Sequence, residues 1–350
     1  MSTDQKDLAE RVSEPIVPPE IAKEIGVLEQ QFIRTEVEQL RRSIVSFRPL
    51  FEKRAKMVAH PELQSNFWVR VLSNAPGDID EYIAPSDAAI LGSSLINLNV
   101  ERFEVNEKGE GEPRSVRFTF EFQTGEANPF FEDKTLVKDF YWRKQVFTTA
   151  SGKKKTWDGL VSEPVRINWK KDMDVTKGVL DATCDLFEAE KKGGNRRELP
   201  EYKKLIEKLA AMEAIDEEEE ENEEDLMGQS GQSFFNFFGY RGSDVTAEQS
   251  AAATKEENER LEKILKGEQV EDDEADDDED VDDDFEEIEA FPDGAQLVGA
   301  LADDLWPNAL KYYMQSFDDG PEFDVDDFDD DEDDEDEEEA ESRPRKKTKV

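Results

Sequence analysis

Residues 19–60, PEIAKEIGVLEQQFIRTEVEQLRRSIVSFRPLFEKRAKMVAH, decide how the rest of the chain is organised. Pro18 and Pro19 stand where a helix can begin, and apolar residues follow at helical spacing: Ile21, Ile25, Leu28 and Phe32. The register then slips by one residue. It continues through Ile33, Val37, Leu40, Ile44, Phe47, Phe51 and, after Arg54, Val58, in steps of four and three. A continuous helix from 20 to 59 would be about 60 Å long at ~1.5 Å per residue, longer than a small domain is wide. Either a helical hairpin within the monomer or a second copy has to cover the stripe. The next helical pattern, residues 67–72, is too short for the hairpin, which favours a dimer interface made by Ile33, Val37, Leu40, Ile44, Phe47, Phe51 and Val58. Pro49 is expected to kink this helix or interrupt its hydrogen bonds, and His60-Pro61 to end it.

From Leu95 the period changes from helical to two. LINLNVERFEV (95–105), SVRFTFEFQ (115–123) and LVKDFYWRKQVF (136–147) alternate apolar and polar residues, and PVRINWK (164–170) reads as a fourth strand. Turn-rich EKGEGEPR and TGEANPFFEDK separate the first three, so the expected fold is α+β, with a four-stranded antiparallel sheet packed by helices. Residues 199–213 place Tyr202, Leu205, Ile206, Leu209 and Met212 on one helical face. SFFNFFGY (233–240) is too apolar for a free linker and should dock on the body, whereas 246–266 reads as a polar helix. Near the end, Leu297, Leu301, Leu305 and Trp306 suit one helical face bounded by Pro307, and Leu310, Tyr313 and Met314 suit a short last helix.

The formal charge of −45 is not spread over the chain. Residues 216–225 hold 9 acids, 271–290 hold 15 and 318–341 hold 18, without a lysine or arginine in any of them. Those tracts take 42 of the 89 acids and leave 47 against 44 lysines and arginines. The chain therefore reads as a near-neutral folded body with acidic, disordered appendages whose natural counterpart is a cationic protein; polyanions are repelled, so the acidic tracts should not bind DNA directly. With Cys184 and His60 as the only cysteine and histidine, neither an internal disulfide nor the usual nucleophilic or metal constellations can be built. There is also no phosphate-cradling glycine motif and no EF-hand spacing. No cofactor, no metal and no enzymatic activity are expected. Nor does any stretch suit a membrane span or a signal peptide, so an intracellular, soluble protein is expected.

The ordered segments resemble the nucleosome assembly protein family of histone chaperones. The resemblance rests on RPLFEKR (48–54), NFW (66–68), NPFFEDK (128–134), INWK (167–170), SFFNFF (233–238) and DDLWPNALKYY (303–313), in that order along residues 20–317. RPLFEKR with its proline is more similar to the SET branch. The resemblance implies an antiparallel homodimer through the long helix, with an α+β "earmuff" domain per subunit whose concave acidic underside holds core histones. On that pattern residues 1–19 are a flexible leader, 20–60 the dimerisation helix, 61–317 the earmuff with acidic insertions at 216–225 and 271–290, and 318–350 an acidic tail. Phe67, Trp68, Phe130, Phe131, Trp169 and the aromatic knot are then core. Histone contact falls to Asp303 and Asp304, and to Phe323, Asp324, Asp326, Asp327, Phe328 and Asp329 in the tail. An apolar side chain in a solvated tail gains nothing unless it packs on something, so Phe323 or Phe328 could serve as anchors. Arg345, Lys346, Lys347 and Lys349 fit a nuclear import signal, the alternative being a basic end folded back on the acidic tail. A nuclear protein that shuttles with the cytoplasm is expected. The SET resemblance also implies two other partners, protein phosphatase 2A through inhibition or a histone acetyltransferase.

Overall fold

A computed structural model describes residues 18–148, 154–220, 232–266 and 288–317. Helix α1, Pro19–Val58, runs through Pro49 without a break, so the proline costs one hydrogen bond but does not end the helix. Short helices α2 (Pro61–Gln64), α3 (Phe67–Leu72), α4 (Gly77–Asp80) and α5 (Pro85–Ser94) lead into the sheet. His60 caps α2, its ring accepting from the Glu62 amide.

The sheet is a meander in the order β1-β2-β3-β4, with β1 Leu95–Glu101, β2 Val116–Phe122, β3 Thr135–Thr148 and β4 Lys154–Ser162, all antiparallel. In β2 the alternation is complete: Val116, Phe118, Phe120 and Phe122 are buried, with Arg117, Thr119 and Glu121 between them half-buried. The β1–β2 loop turns at Gly111, whose φ is 122° and where an added Cβ would lie 1.8 Å from the Glu104 carbonyl oxygen. Only glycine fits there.

The fourth strand is a correction. PVRINWK does not join the sheet; its Ile167 is buried and Trp169 forms an isolated bridge with Phe131. β4 lies earlier, in KKTWDGLVS, and pairs with β3 from Phe140↔Ser162 to Thr148↔Lys154. Because β2 pairs only with β3 residues 135–140, the outer part of β3 and its partner β4 form a two-stranded ribbon beyond the sheet.

After the ribbon come α6 (Val179–Lys191) and α7 (Pro200–Glu220), which share a small core of Val179, Ala182, Leu186, Leu205 and Met212. Ile206, expected on the same face, is exposed. The knot is a 3-10 turn, Phe234–Gly239, and α8 spans Ala247–Leu265. α9 (Gly294–Gly299) continues as a π-turn through Leu305, and α10 spans Ala309–Gln315. The short last helix is present as α10, in which Ala309 and Tyr312 are buried while Leu310 and Met314 are exposed.

Candidate functional site

The motifs of the sequence come together in two clusters that position everything else. The first joins α1 to the domain. Arg54, near the end of α1, is buried, lies 4.1 Å from the Trp306 ring centroid and donates to the Trp306 carbonyl. Trp306 stacks on Trp68 with centroids 5.4 Å apart, and Phe51 packs 5.6 Å from Trp306. Trp68 Nε1 donates to Asn97 Oδ1 in β1 at 2.8 Å. Burial pulls the Arg54 guanidinium down to about 10, still charged at neutral pH. RPLFEKR, NFW and DDLWPN are thus three parts of one stack.

The second cluster seals the inner face of the sheet. Phe234, Phe235, Phe237 and Phe238 are fully buried among Phe118, Phe120, Phe131 and Phe140, mostly edge to face. NPFFEDK and INWK meet there: Phe131 lies 5.4 Å from Trp169, Asp133 accepts from the Asn168 amide, and Lys170 Nζ donates to the Gly125 and Asn128 carbonyls. Asp87, at the start of α5, accepts from Ser233 Oγ at 2.6 Å and the Phe234 amide at 2.8 Å. Burial raises its pKa while these donors oppose the rise. Phe67, Trp68, Phe131 and the knot are core, as expected; Phe130 and Trp169 pack against it half-buried.

Sequence reading missed Lys138. It sits among the phenylalanines of β2 and β3, fully buried, and its Nζ donates to the carbonyls of Glu163, Phe238 and Tyr240 at 2.7, 3.1 and 2.7 Å. Burial pulls its pKa down to about 7, opposed by Glu289. In LVKDF the lysine occupies an inward strand position, the one available signal. Glu289 is a second correction, since the acidic insertion was expected to run to residue 290. Its carboxylate accepts from the Arg241 and Gly242 amides at 3.0 and 2.8 Å, and burial raises its pKa. Ala290 and Phe291 beside it are buried.

The residues assigned to binding fall into three groups. Asp303 pairs with Arg102 but leaves its side chain 64% exposed. Asp304 instead holds the chain together, accepting from the Tyr312 hydroxyl at 3.0 Å and from Asn308 Nδ2 at 2.8 Å. Along α1, Val58 is buried and Phe51 is packed on Trp306, so both belong to the subunit's own core and not to a free face. Further up the helix Ile33 is 43% and Phe47 48% exposed, Val37, Leu40 and Ile44 are half-buried, and Ile21, Ile25, Leu28, Phe32 and Leu50 are exposed. Phe323, Asp324, Asp326, Asp327, Phe328, Asp329 and the basic Arg345, Lys346, Lys347 and Lys349 lie outside the described residues, as do residues 1–17, 221–231 and 267–287. Among the described residues, no group of acids, histidine and cysteine could hold a metal ion, and no helix is long and apolar enough to cross a membrane.

The segment that holds the meander sheet and the aromatic turn matches a known family in sequence. The sequence model described as Nucleosome assembly protein (NAP) matches residues 62–316, and the chain belongs to that family. It is 39% identical over 145 residues to a protein of Schizosaccharomyces pombe named as a nucleosome assembly protein, covering 41% of this chain and 54% of that one. To Protein SET of Drosophila melanogaster it is 30% identical over 136 residues, 38% of this chain and 42% of that one. The match thus spans about half the length of these relatives. Among solved structures, Ccp1 gives a TM-score of 0.48 at 25% identity, covering 86% of this chain and 97% of that one. The Vps75 histone chaperone gives 0.42 at 17% identity, covering 85% and 98%. Helix α1 and its RPLFEKR lie before the matched residues.

Proposed function

We propose that this chain is a histone chaperone that acts by binding and not by catalysis, as a homodimer, in the nucleus. The observation that carries the reading is the family match over 62–316, which takes in every strand and the aromatic knot. In support, α1 exposes apolar residues that a lone subunit has no reason to leave in water. The proposed dimer face is Ile33, Val37, Leu40, Ile44 and Phe47, with α1 antiparallel to its copy. The proposed ligand is a core-histone pair, whose basic charge is screened by Asp303 and by the acids of the three tracts, with Phe323 or Phe328 as an apolar anchor. Each exposed ion pair contributes only ~0.2–1 kcal/mol, so tight binding has to come from many of them and has to weaken as salt rises.

Light scattering of the chain alone and with each of the two core-histone pairs tests this. A dimer mass alone, a complex with at least one pair, and an affinity that falls steeply with salt are expected. No complex with either pair, or one indifferent to salt, would overturn it. Within that experiment, Phe323→Ala with Phe328→Ala should weaken the complex; unchanged affinity for both pairs removes the anchor. For Arg345, Lys346, Lys347 and Lys349, exclusion from the nucleus on changing all four to Ala is expected.

A further inference from the structure

The ribbon formed by the outer part of β3 and by β4 differs in charge from the rest of the molecule. Its described residues, 141–148 and 154–162, carry Arg143, Lys144, Lys154 and Lys155 against Asp158 alone, in a chain of net charge −45. Tyr141, Trp142, Phe147 and Trp157 interleave with these cations. Because residues two apart share a face and Thr148 pairs with Lys154, Lys144 and Lys154 lie on one side of the ribbon.

That side is occupied by α8. Its Glu257 holds Lys144 Nζ at 2.6 Å, and its Glu256 holds Lys154 Nζ at 2.6 Å. Where β3 has lost β2 as a neighbour, Ser250 Oγ of α8 accepts from the Lys144 amide at 3.0 Å. The helix packs along β3, and its Asn258 accepts from Arg34 of α1. Only Ala253 and Leu261 are buried, and one whole face, from Ala247 through Ser250, Thr254 and Asn258 to Glu262, lines an open cleft of about 730 Å³. Of the two ion pairs, Lys154–Glu256 is about half exposed, whereas Lys144–Glu257 is shielded, with side chains 14% and 24% exposed, so salt and competing anions act first on Lys154–Glu256. Moreover, α8 sets carboxylates at the spacing of the lysines, which is the chemistry a chain of phosphates offers.

We propose that the β3–β4 ribbon is a nucleic-acid-binding arm that grips the phosphodiester backbone through Lys144 and Lys154 on one face and Lys155 on the other, and that α8 covers the first face until a competing polyanion displaces Glu256 and Glu257. A two-stranded β-ribbon has the width that a duplex major groove admits. This site goes beyond histone binding and stands or falls separately from it. An arm of this kind on a histone carrier would bring DNA beside the carried protein.

The test is fluorescence anisotropy at low salt with the full chain and three probes: a 20-base-pair DNA duplex, an RNA duplex of equal length and a poly-glutamate peptide. Glu256→Gln with Glu257→Gln should raise duplex affinity about tenfold over the unaltered chain, while Glu217→Gln with Glu218→Gln, removing equal charge elsewhere, should not. Adding Lys154→Gln and Lys155→Gln to the uncovered variant should cancel the gain and lower the salt slope by about 2, at ~0.9 per phosphate contact. DNA binding more tightly than RNA, or the reverse, names the duplex the arm prefers, and either supports the arm. No gain on uncovering, a gain that survives loss of the lysines, or poly-glutamate binding as tightly as either duplex would overturn it. Unfolding midpoints of the variants, expected unchanged, separate a lost site from a lost fold, and Lys154→Glu with Lys155→Glu repeats the reversal if the glutamine pair unfolds. Histone-pair affinity, expected unchanged in all variants, separates failure of the arm from failure of the chaperone reading.

Discussion

The aromatic knot and helix α1 are both dense in large apolar side chains, and the chain treats them in opposite ways. Phe234, Phe235, Phe237 and Phe238 are spent entirely inside, against the inner face of the sheet. Along α1, Arg54, Phe51 and Val58 at the C-terminal end are drawn into the same body, while Phe32 is 61% and Phe47 48% exposed higher up. Apolar density therefore does not by itself mean core: the knot makes the fold and the upper helix leaves a face for something else to cover.

The largest effect should come from cutting into the sealed side. Phe237→Ala leaves a hole among Phe118, Phe140 and Phe238 and should cost about 3–5 kcal/mol of unfolding free energy in urea titration. A loss under about 1 kcal/mol would mean that the knot is not tightly packed. Lys138 sharpens the same side through pH. Its folded-state value, about 7, lies below the ordinary 10.5, so between those values the unfolded chain binds more protons and folding is favoured progressively as pH rises. Stability relative to Lys138→Met should therefore increase from pH 7 to 10; a constant difference would contradict the burial of this ammonium. The smallest effect is expected at Asp303→Asn, on the 64% exposed side of its pair with Arg102, which keeps its bond to the Arg114 carbonyl; the change should cost at most about 1 kcal/mol by thermal unfolding.

What was legible in the sequence followed from how strongly each segment depends on its own side chains. The long helix, the first three strands and the knot declare themselves because their apolar spacing alone sets their burial. β4 was not legible, since KKTWDGLVS carries only Trp157, Leu160 and Val161 as large apolar residues and is held by pairing with β3, whereas PVRINWK alternates well yet packs across the body as an extended segment. Asp304 read as a surface acid because its partners, Asn308 and Tyr312, are recognisable only once the turn before α10 is formed. Glu289 was hidden at the end of an acidic run, and only the fold shows that the amides of Arg241 and Gly242 draw it in. Motif order identified the family, but charge could not locate a binding site, because many acids of the body pair with its own cations.

The comparison between sealed knot and open helix is tested most directly by sedimentation equilibrium of the full chain beside an Ile33→Asp, Phe47→Asp variant. The unaltered chain should sediment as a dimer and the variant as a monomer, with the domain's far-ultraviolet circular dichroism retained. A monomer before substitution, or a dimer that survives both aspartates, would contradict it.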